Sequence, residues 1–256
     1  MNRLKEKMMK GIPTIGSFFE MGSSITAQCM ALSGLDYFIL DCEHGPYDPL
    51  SAVNLFRSGE LYGTTPLARV EAITRPGIMK PLDSGAQGLI IPCIKSVDDV
   101  KRVVEYGKYV PIGQRGVAAN AANGYWAAGY GEGGMEGWFE RTNNDILLIP
   151  QCETVECLNS LEEIVTVPGI DGLFIGPYDL STSMGMAGQF ENPVFLSALD
   201  RILKICKETG TKTMIYAKTI EESRRFLKAG YDSITYTMDT IVFTEAFKAI
   251  VQAVLA

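Results

Sequence analysis

A single histidine occurs in this chain of 256 residues, inside "ILDCEHGPYD", residues 39–48, flanked by acids and followed by a Gly-Pro turn. An imidazole exchanges a proton around neutral pH, so His44 is the first candidate for general acid–base work. The other chemistry-bearing side chains sit where short apolar runs end. "PLARV" delivers Arg69, and "IPQCET" carries Gln151 and Glu153. Those two are two residues apart, hence on one face of a strand, with Cys152 on the other. "FIGPYDLS" places Asp179 in a turn that opens a helix, and "YAKT" brings Lys218 to another run's end. Carboxylates at adjacent strand ends, completed by water and substrate oxygens, form a hard-cation site of the Mg2+ or Mn2+ type. Each residue also has a plainer role. Acids at strand ends cap helices, Arg69 can pair with a nearby acid, Gln151 can fill a polar mouth, and a loop histidine can be merely polar. Spacing alone does not choose between these.

The elements that must position these residues follow a rhythm of β-prone run, turn and amphipathic helical stretch. The pattern predicts strands over Thr14–Phe19, Tyr37–Asp41, Pro66–Val70, Gly88–Pro92, Ile146–Glu153, Gly172–Gly176, Thr213–Ala217 and Ser233–Thr237. Helical patterns such as "SVDDVKRVVEYGK" lie between them, with Ser96 and Asp99 spaced as a capping box. A last helix is expected over Thr240–Leu255. Strands alternating with helices imply a parallel sheet. Eight repeats in about 250 residues favour an α/β fold of the closed (β/α)8 TIM barrel type, one domain spanning 1–256. An open doubly wound sheet would carry a Gly-rich phosphate turn after its first strand, and "SFFEMGSS" is not one. The long Gly- and aromatic-rich stretch 111–144 reads as an active-site cover or an oligomer contact.

Bulk properties narrow the classes. With 46% hydrophobic residues there is material for one large core, and a net charge of −7 opposes a nucleic-acid surface. No apolar run approaches the length needed to cross a bilayer, and the basic N-terminus lacks the apolar segment of a signal peptide. Six cysteines without a CxxC pair read as reduced thiols of a cytoplasmic protein.

Taken together, "FILDCEHGPYD", "PLARV", "IMKPLDSGAQGLIIPCIKS", "PIGQRGV", "IPQCET" and "GIDGLFIGPYDLSTSMG" resemble the HpcH/HpaI family of metal-dependent (class II) pyruvate-type aldolases. The match is collinear over roughly residues 12 to 190, and beyond that it rests on the strand–helix rhythm. The resemblance implies cleavage of a 4-hydroxy-2-oxo acid to pyruvate, or a close 2-oxo acid, and an aldehyde, with a Mg2+, Mn2+ or Co2+ cofactor. By position it makes His44 the general base and Arg69 the group that stabilises the developing enolate. Asp83, in "LDSGAQ", is the carboxylate that raises the histidine's basicity. Gln151 and the backbone of Tyr178 hold the pyruvyl group, and Glu153 and Asp179 are the metal ligands, Asp179 also lying against substrate. It further implies homo-oligomers: dimers that exchange a C-terminal helix, assembled into hexamers as trimers of dimers. Asp83 sits awkwardly in this scheme, because the helix after the third strand ends at the far rim of a regular barrel.

Several readings stay open. The ends of strands seven and eight, "TKTMIYAKT" and "SITYTMDT", are bulkier and more polar than the Gly-rich ends frequent in the family, so Tyr216, Lys218, Tyr236 or Asp239 can reshape the pocket. Arg115 suits substrate carboxylate binding or loop anchoring equally. A Schiff-base aldolase would use Lys218 or Lys95. A CoA-thioester lyase or another metal-enolate enzyme keeps the fold and changes the chemistry. A catalytically inactive barrel serving assembly or sensing is the reading from another class.

Overall fold

Eight short apolar runs become eight parallel strands: β1 Thr14–Phe19, β2 Tyr37–Asp41, β3 Thr65–Arg69, β4 Gly88–Ile91, β5 Leu147–Cys152, β6 Gly172–Ile175, β7 Lys212–Ala217 and β8 Ser233–Met238. Each pairs with its sequence neighbour, and β1 pairs with β8, closing the (β/α)8 barrel expected from the repeat count. The computed structural model describes residues 2–45 and 47–256; Met1 and Pro46, the latter in the Gly-Pro turn after His44, lie outside the described residues. The third strand starts and stops one residue earlier than the pattern predicted, and the fifth ends at Cys152, leaving Glu153 just beyond it.

Alternation along each strand divides the apolar side chains into two layers. Phe18, Tyr37, Ile39, Leu67, Ile90, Leu147, Ile149, Phe174 and Met214 fill the barrel's interior. Phe19, Phe38, Leu40, Ala68, Leu89, Leu148 and Ile175 face outward against the helices. Inside, the Tyr37 hydroxyl donates to the Ile234 carbonyl at 2.8 Å and lies 2.8 Å from Thr235 Oγ1. The Tyr37 ring also occupies the space a side chain at position 16 would need, so Gly16 is required by close approach.

The end of the barrel where the strands begin is sealed. The helix Arg3–Met9 inserts Leu4 and Met8 into the interior layer, and Asn2 donates from Nδ2 to the Gln87 and Asp145 carbonyls at 2.9 and 3.0 Å. Beside it Lys108, 2% exposed, donates to the Asn143 and Ile146 carbonyls and pairs with Asp171 at 3.2 Å. Burial pulls the Lys108 ammonium below its usual range, and Asp171 opposes that pull.

The 111–144 stretch belongs to this sealed end. Its last part is the helix Gly134–Asp145, which the loop reading did not foresee. Its aromatics pack on Tyr109, just before the stretch, whose ring stacks on Phe139 at 4.7 Å between ring centres and approaches Trp138 at 5.0 Å. None of its described residues lines the cleft at the other end, so it does not cover the mouth of its own barrel. The capping box appears as predicted: Ser96 Oγ accepts from the Asp99 N–H at 3.2 Å and Asp99 Oδ2 from the Ser96 N–H at 2.9 Å.

The chain closes with the helix Asp239–Leu255, which packs on β1 and β8 near its start. Beyond that it presents Phe243, Phe247, Ile250, Val251, Val254 and Leu255 to solvent, each more than half exposed. Among the described residues no helix is long and apolar enough to cross a membrane, and all six cysteines are free thiols.

Candidate active site

At the strands' C-terminal ends, where barrel enzymes place their chemistry, the register sets Asp41 of β2 opposite Arg69 of β3. Arg69 donates from Nε to Asp41 Oδ1 at 2.9 Å and from Nη2 to Asp41 Oδ2 at 2.5 Å, a two-pronged pair with Asp41 only 1% exposed. Arg69 also lies 3.3 Å from Glu43 Oε2 and 4.6 Å above the Phe18 ring. Burial alone would lower the guanidinium's pKa, but Asp41, Glu43 and Glu153 outweigh it and raise the value.

Asp41 also shapes the loop that carries the histidine. Its Oδ1 accepts from the N–H groups of Glu43 and His44 at 3.1 and 3.4 Å, and its carbonyl accepts from the Gly45 N–H at 3.1 Å. A side chain at position 45 would collide with that carbonyl, which explains the glycine of "EHG". The imidazole stands outside the barrel, 70% exposed, with Nε2 3.8 Å from Glu43 Oε2. Asp41 and Glu43 are the participants that the motif analysis left without roles; the strand-end position of Asp41, in line with Arg69, was the available signal.

Glu153 lies just past β5 and is 5% exposed. Its Oε1 accepts from the Cys93 N–H at 2.5 Å, and its Oε2 accepts from the Gln151 side-chain amide. Cys93 offers that N–H from a left-handed backbone, φ 57°, a donor that no side-chain pattern reveals. Burial pushes the Glu153 carboxyl above the ordinary range. The charges of Asp179 and Glu43 add to the rise, while Cys93 and Gln151 oppose it. The Glu43 carboxyl is likewise raised, first by burial, with Asp41 and Asp179 adding and Arg69 and His44 opposing. Asp179 sits in the first turn of the helix Pro177–Ser183, which follows β6 directly. Gly176 between them permits a close approach to both side chains; a Cβ there would lie 3.2 Å from Glu153 Oε2 and 3.0 Å from Gln151 Nε2.

A cleft of about 370 Å³ opens at this point, a volume suited to a small molecule. Arg69, Gln151 and Asp179 line it together with Phe18, Phe174, Tyr178, Tyr216, Lys218, Met238 and Ile241. Gln151 Oε1 is buried and has no hydrogen-bond partner among the described residues, an acceptor awaiting a donor. The donor set fits a hard divalent cation: two mutually repelling carboxylates, Glu153 held in place by an N–H and an amide, beside a glycine that adds no side chain of its own. Among the described residues no three His, Cys, Asp or Glu side chains surround one point. Two carboxylates therefore leave most coordination positions to water and substrate.

The structure thus brings Arg69, Gln151, Tyr178 and Asp179 to one cleft, with Glu153 behind Gln151 and His44 on the adjoining loop. Asp83 is elsewhere in the chain. It ends the helix Arg75–Ser84 and accepts from Arg115 Nη2 at 2.6 Å. Arg115, 5% exposed and 4.9 Å from the Tyr109 ring, anchors the 111–144 stretch and is absent from the cleft lining. Of the four residues singled out at the ends of strands seven and eight, Tyr216 and Lys218 line the cleft and Tyr236 packs in the outer layer. Asp239 is a latch: Oδ1 accepts from the Glu20 N–H at 2.9 Å and Oδ2 from the Met21 N–H at 3.0 Å.

The sequence profile of the HpcH/HpaI aldolase/citrate lyase family matches residues 14–246. The chain belongs to that family. A 2-keto-3-deoxy-L-rhamnonate aldolase of Escherichia coli O157:H7 is 30% identical over 245 residues, covering 96% of this chain and 90% of the relative. An HpcH/HpaI aldolase/citrate lyase family protein from Burkholderia cenocepacia J2315 superposes with a TM-score of 0.92 at 28% identity, covering all of both chains. An HpcH/HpaI aldolase from Desulfitobacterium hafniense DCB-2 shares the fold at a TM-score of 0.91 and 24% identity, over 99% of this chain and 97% of that one.

An acid whose folded-state pKa is raised destabilises the fold while ionised; the penalty is full above that pKa and is relieved as pH falls through it. At neutral pH the metal-free protein therefore carries a penalty at Glu153, relieved as pH falls. Glu153→Gln removes the charge but leaves one acceptor oxygen for two donors, the Cys93 N–H and the Gln151 amide, so in chelator the variant should melt close to the parent. Mn2+ should raise the melting temperature of the parent and leave the variant unmoved. Differential scanning calorimetry with and without Mn2+ checks both.

Proposed function

We propose that this protein is a divalent-metal-dependent carbon–carbon lyase that reversibly cleaves a 4-hydroxy-2-oxo acid into pyruvate, or a close 2-oxo acid, and an aldehyde. The observation that carries this reading is the convergence, on one small-molecule cleft, of Asp179 and Gln151, with Glu153 bonded directly behind Gln151, and a guanidinium held by a buried aspartate. Membership of an aldolase family and 30% identity to a rhamnonate-type aldolase support it.

Glu153 and Asp179 would hold a cation of the Mg2+, Mn2+ or Co2+ type, which supplies Lewis acidity to the keto and carboxylate oxygens of a 2-oxo acid. Arg69, its position set by Asp41, presents fixed positive charge where enolate charge accumulates when the bond between C3 and C4 breaks. The N–H groups of Tyr178 and Asp179 precede the first intrahelical bond, Leu180 to Gly176 at 3.0 Å, and suit the substrate carboxylate. Gln151 orients the pyruvyl group with its amide. His44 takes the proton of the 4-hydroxyl during cleavage and gives it back to C3 of the enolate, which completes pyruvate; the synthetic direction reverses both transfers. Within one chain Asp83 does not reach His44, and Glu43 is the acid beside the imidazole.

The bare face of the terminal helix is the place for a second copy of the chain. Phe243 and Phe247, 4.8 Å apart between ring centres, head a continuous apolar stripe that the chain leaves uncovered. Exchange of this helix between protomers would bury it, in keeping with the resemblance.

Three outcomes are expected. Metal-stripped protein should neither cleave 4-hydroxy-2-oxo acids nor exchange the C3 protons of pyruvate with D2O, and single additions of Mg2+, Mn2+ or Co2+ should restore both; exchange that persists in chelator would refute the metal role. His44→Ala should lower kcat by roughly 10²-fold, the scale of a positioned acid–base group, and near-parental turnover removes His44 from the mechanism. Phe243→Asp combined with Phe247→Asp should reduce the mass seen by light scattering to that of one chain, with the circular dichroism of the barrel retained.

A further inference from the structure

The sealed end of the barrel has a cavity of its own, about 270 Å³ in volume, that shares no lining residue with the cleft. It lies where the last turns of the helices Pro49–Glu60 and Arg75–Ser84 face the 111–144 stretch. Phe56, Leu82, Trp138 and Ile146 give it apolar surface.

Its polar lining carries donors that the protein does not use. A guanidinium has five N–H donors. Arg115, with its side chain 2% exposed, commits Nη2 to Asp83. Its Nε and Nη1 are buried and have no hydrogen-bond partner among the described residues. The same holds for the hydroxyl of Tyr109, a residue 1% exposed, and for the side-chain nitrogen of Asn120. All three residues line the cavity. The Tyr109 ring lies 4.9 Å from the guanidinium. Asn120 is oriented by its Oδ1, which accepts from the Asn123 N–H at 3.2 Å, so the amide nitrogen is its free end.

Buried polar groups are nearly always paired, and four unpaired ones on three side chains around one space call for a common partner. Three of the four are nitrogens that can only donate, and the hydroxyl can donate as well. Their complement is a group of acceptor oxygens. The guanidinium is always cationic, and an apolar surround strengthens its attraction for negative charge. The acids of the lining are already engaged: Glu60 accepts from the Gln87 side-chain amide at 2.6 Å, and Asp145 also has a partner.

We propose that this cavity is a second ligand site, which takes a small organic anion whose carboxylate or phosphate oxygens accept from Arg115, Tyr109 and Asn120 while its body lies on Phe56, Leu82 and Trp138. The occupant ties the 111–144 stretch to the helices Pro49–Glu60 and Arg75–Ser84. The assignment is independent of the aldolase reading, which concerns the other end of the barrel.

Both tryptophans of the chain stand at this end, Trp138 in the lining and Trp126 6.2 Å from it between ring centres, so tryptophan emission reports this cavity and not the cleft. The metal-loaded full-length protein is titrated with phenyl phosphate and with benzoate, against benzamide as the uncharged match and sodium chloride at equal ionic strength. At least one anion should give a saturable change in emission at millimolar concentration or below, and the tighter of the two names the anionic group. Benzamide should bind roughly tenfold more weakly than the tighter anion, or worse. Asn120→Asp keeps the oxygen that holds Asn123 and replaces the donor with an anionic oxygen; it should weaken binding roughly tenfold, and Tyr109→Phe roughly fivefold. Because the Tyr109 hydroxyl has no partner in the protein, ligand-free Tyr109→Phe should melt no lower than the parent, yet gain less from the anion. An emission change that fails to saturate, that benzamide or chloride reproduces, or that both substitutions leave unaltered overturns the assignment. So does a ligand-free Tyr109→Phe that melts below the parent, since its hydroxyl would then be satisfied already.

Discussion

The buried pair between Asp41 and Arg69 is the constraint around which the mouth of the barrel is organised. A guanidinium taken out of water is tolerated there because a carboxylate grips it in two places, and removing either partner would strand the other at a cost of about 3–5 kcal/mol. The same aspartate accepts the N–H groups that turn the chain toward His44, so one side chain sets both the loop and the cation. Around this pair the acids Glu43, Glu153 and Asp179 exceed the positive charge available, and burial raises two of them further. The mouth is thus held short of a cation, which is what a metal-dependent site requires before loading. Stability has been traded for readiness there, whereas the sealed end pairs Lys108 with Asp171 and satisfies both.

Much of this was legible in the primary structure, for identifiable reasons. Apolar runs of strand length separated by amphipathic helices dictate alternation, and eight of them close. Chemistry-bearing residues at the ends of those runs then have to share one rim, as Arg69, Gln151 and Asp179 do. Ser96 and Asp99 were readable because a capping box is a local device with a fixed spacing. Misplaced boundaries, such as that of β3, came from an apolar residue, here Val70, that follows the last residue of the strand.

What stayed hidden depends on long-range contact or on the backbone. The helix Gly134–Asp145 is masked by three glycines and two asparagines in or beside its span, weak helix formers that tertiary packing of Phe139 and Asn143 overrides. That the 111–144 stretch gathers at the sealed end follows from Arg115 reaching Asp83, a pairing across 32 positions that no local pattern encodes. The Cys93 N–H that steadies Glu153 is a backbone group in a left-handed conformation, invisible to any reading of side chains. Whether a lysine is spoken for, as Lys108 is and Lys218 is not, likewise emerges only when every neighbour has been placed.

Asp239 joins distant parts of the chain: its two oxygens fasten the segment leaving β1, and its own backbone begins the terminal helix. Two residues further on, Ile241 is part of the cleft wall. The root of the terminal helix, the segment leaving β1 and the wall of the cleft are therefore fastened together at one aspartate.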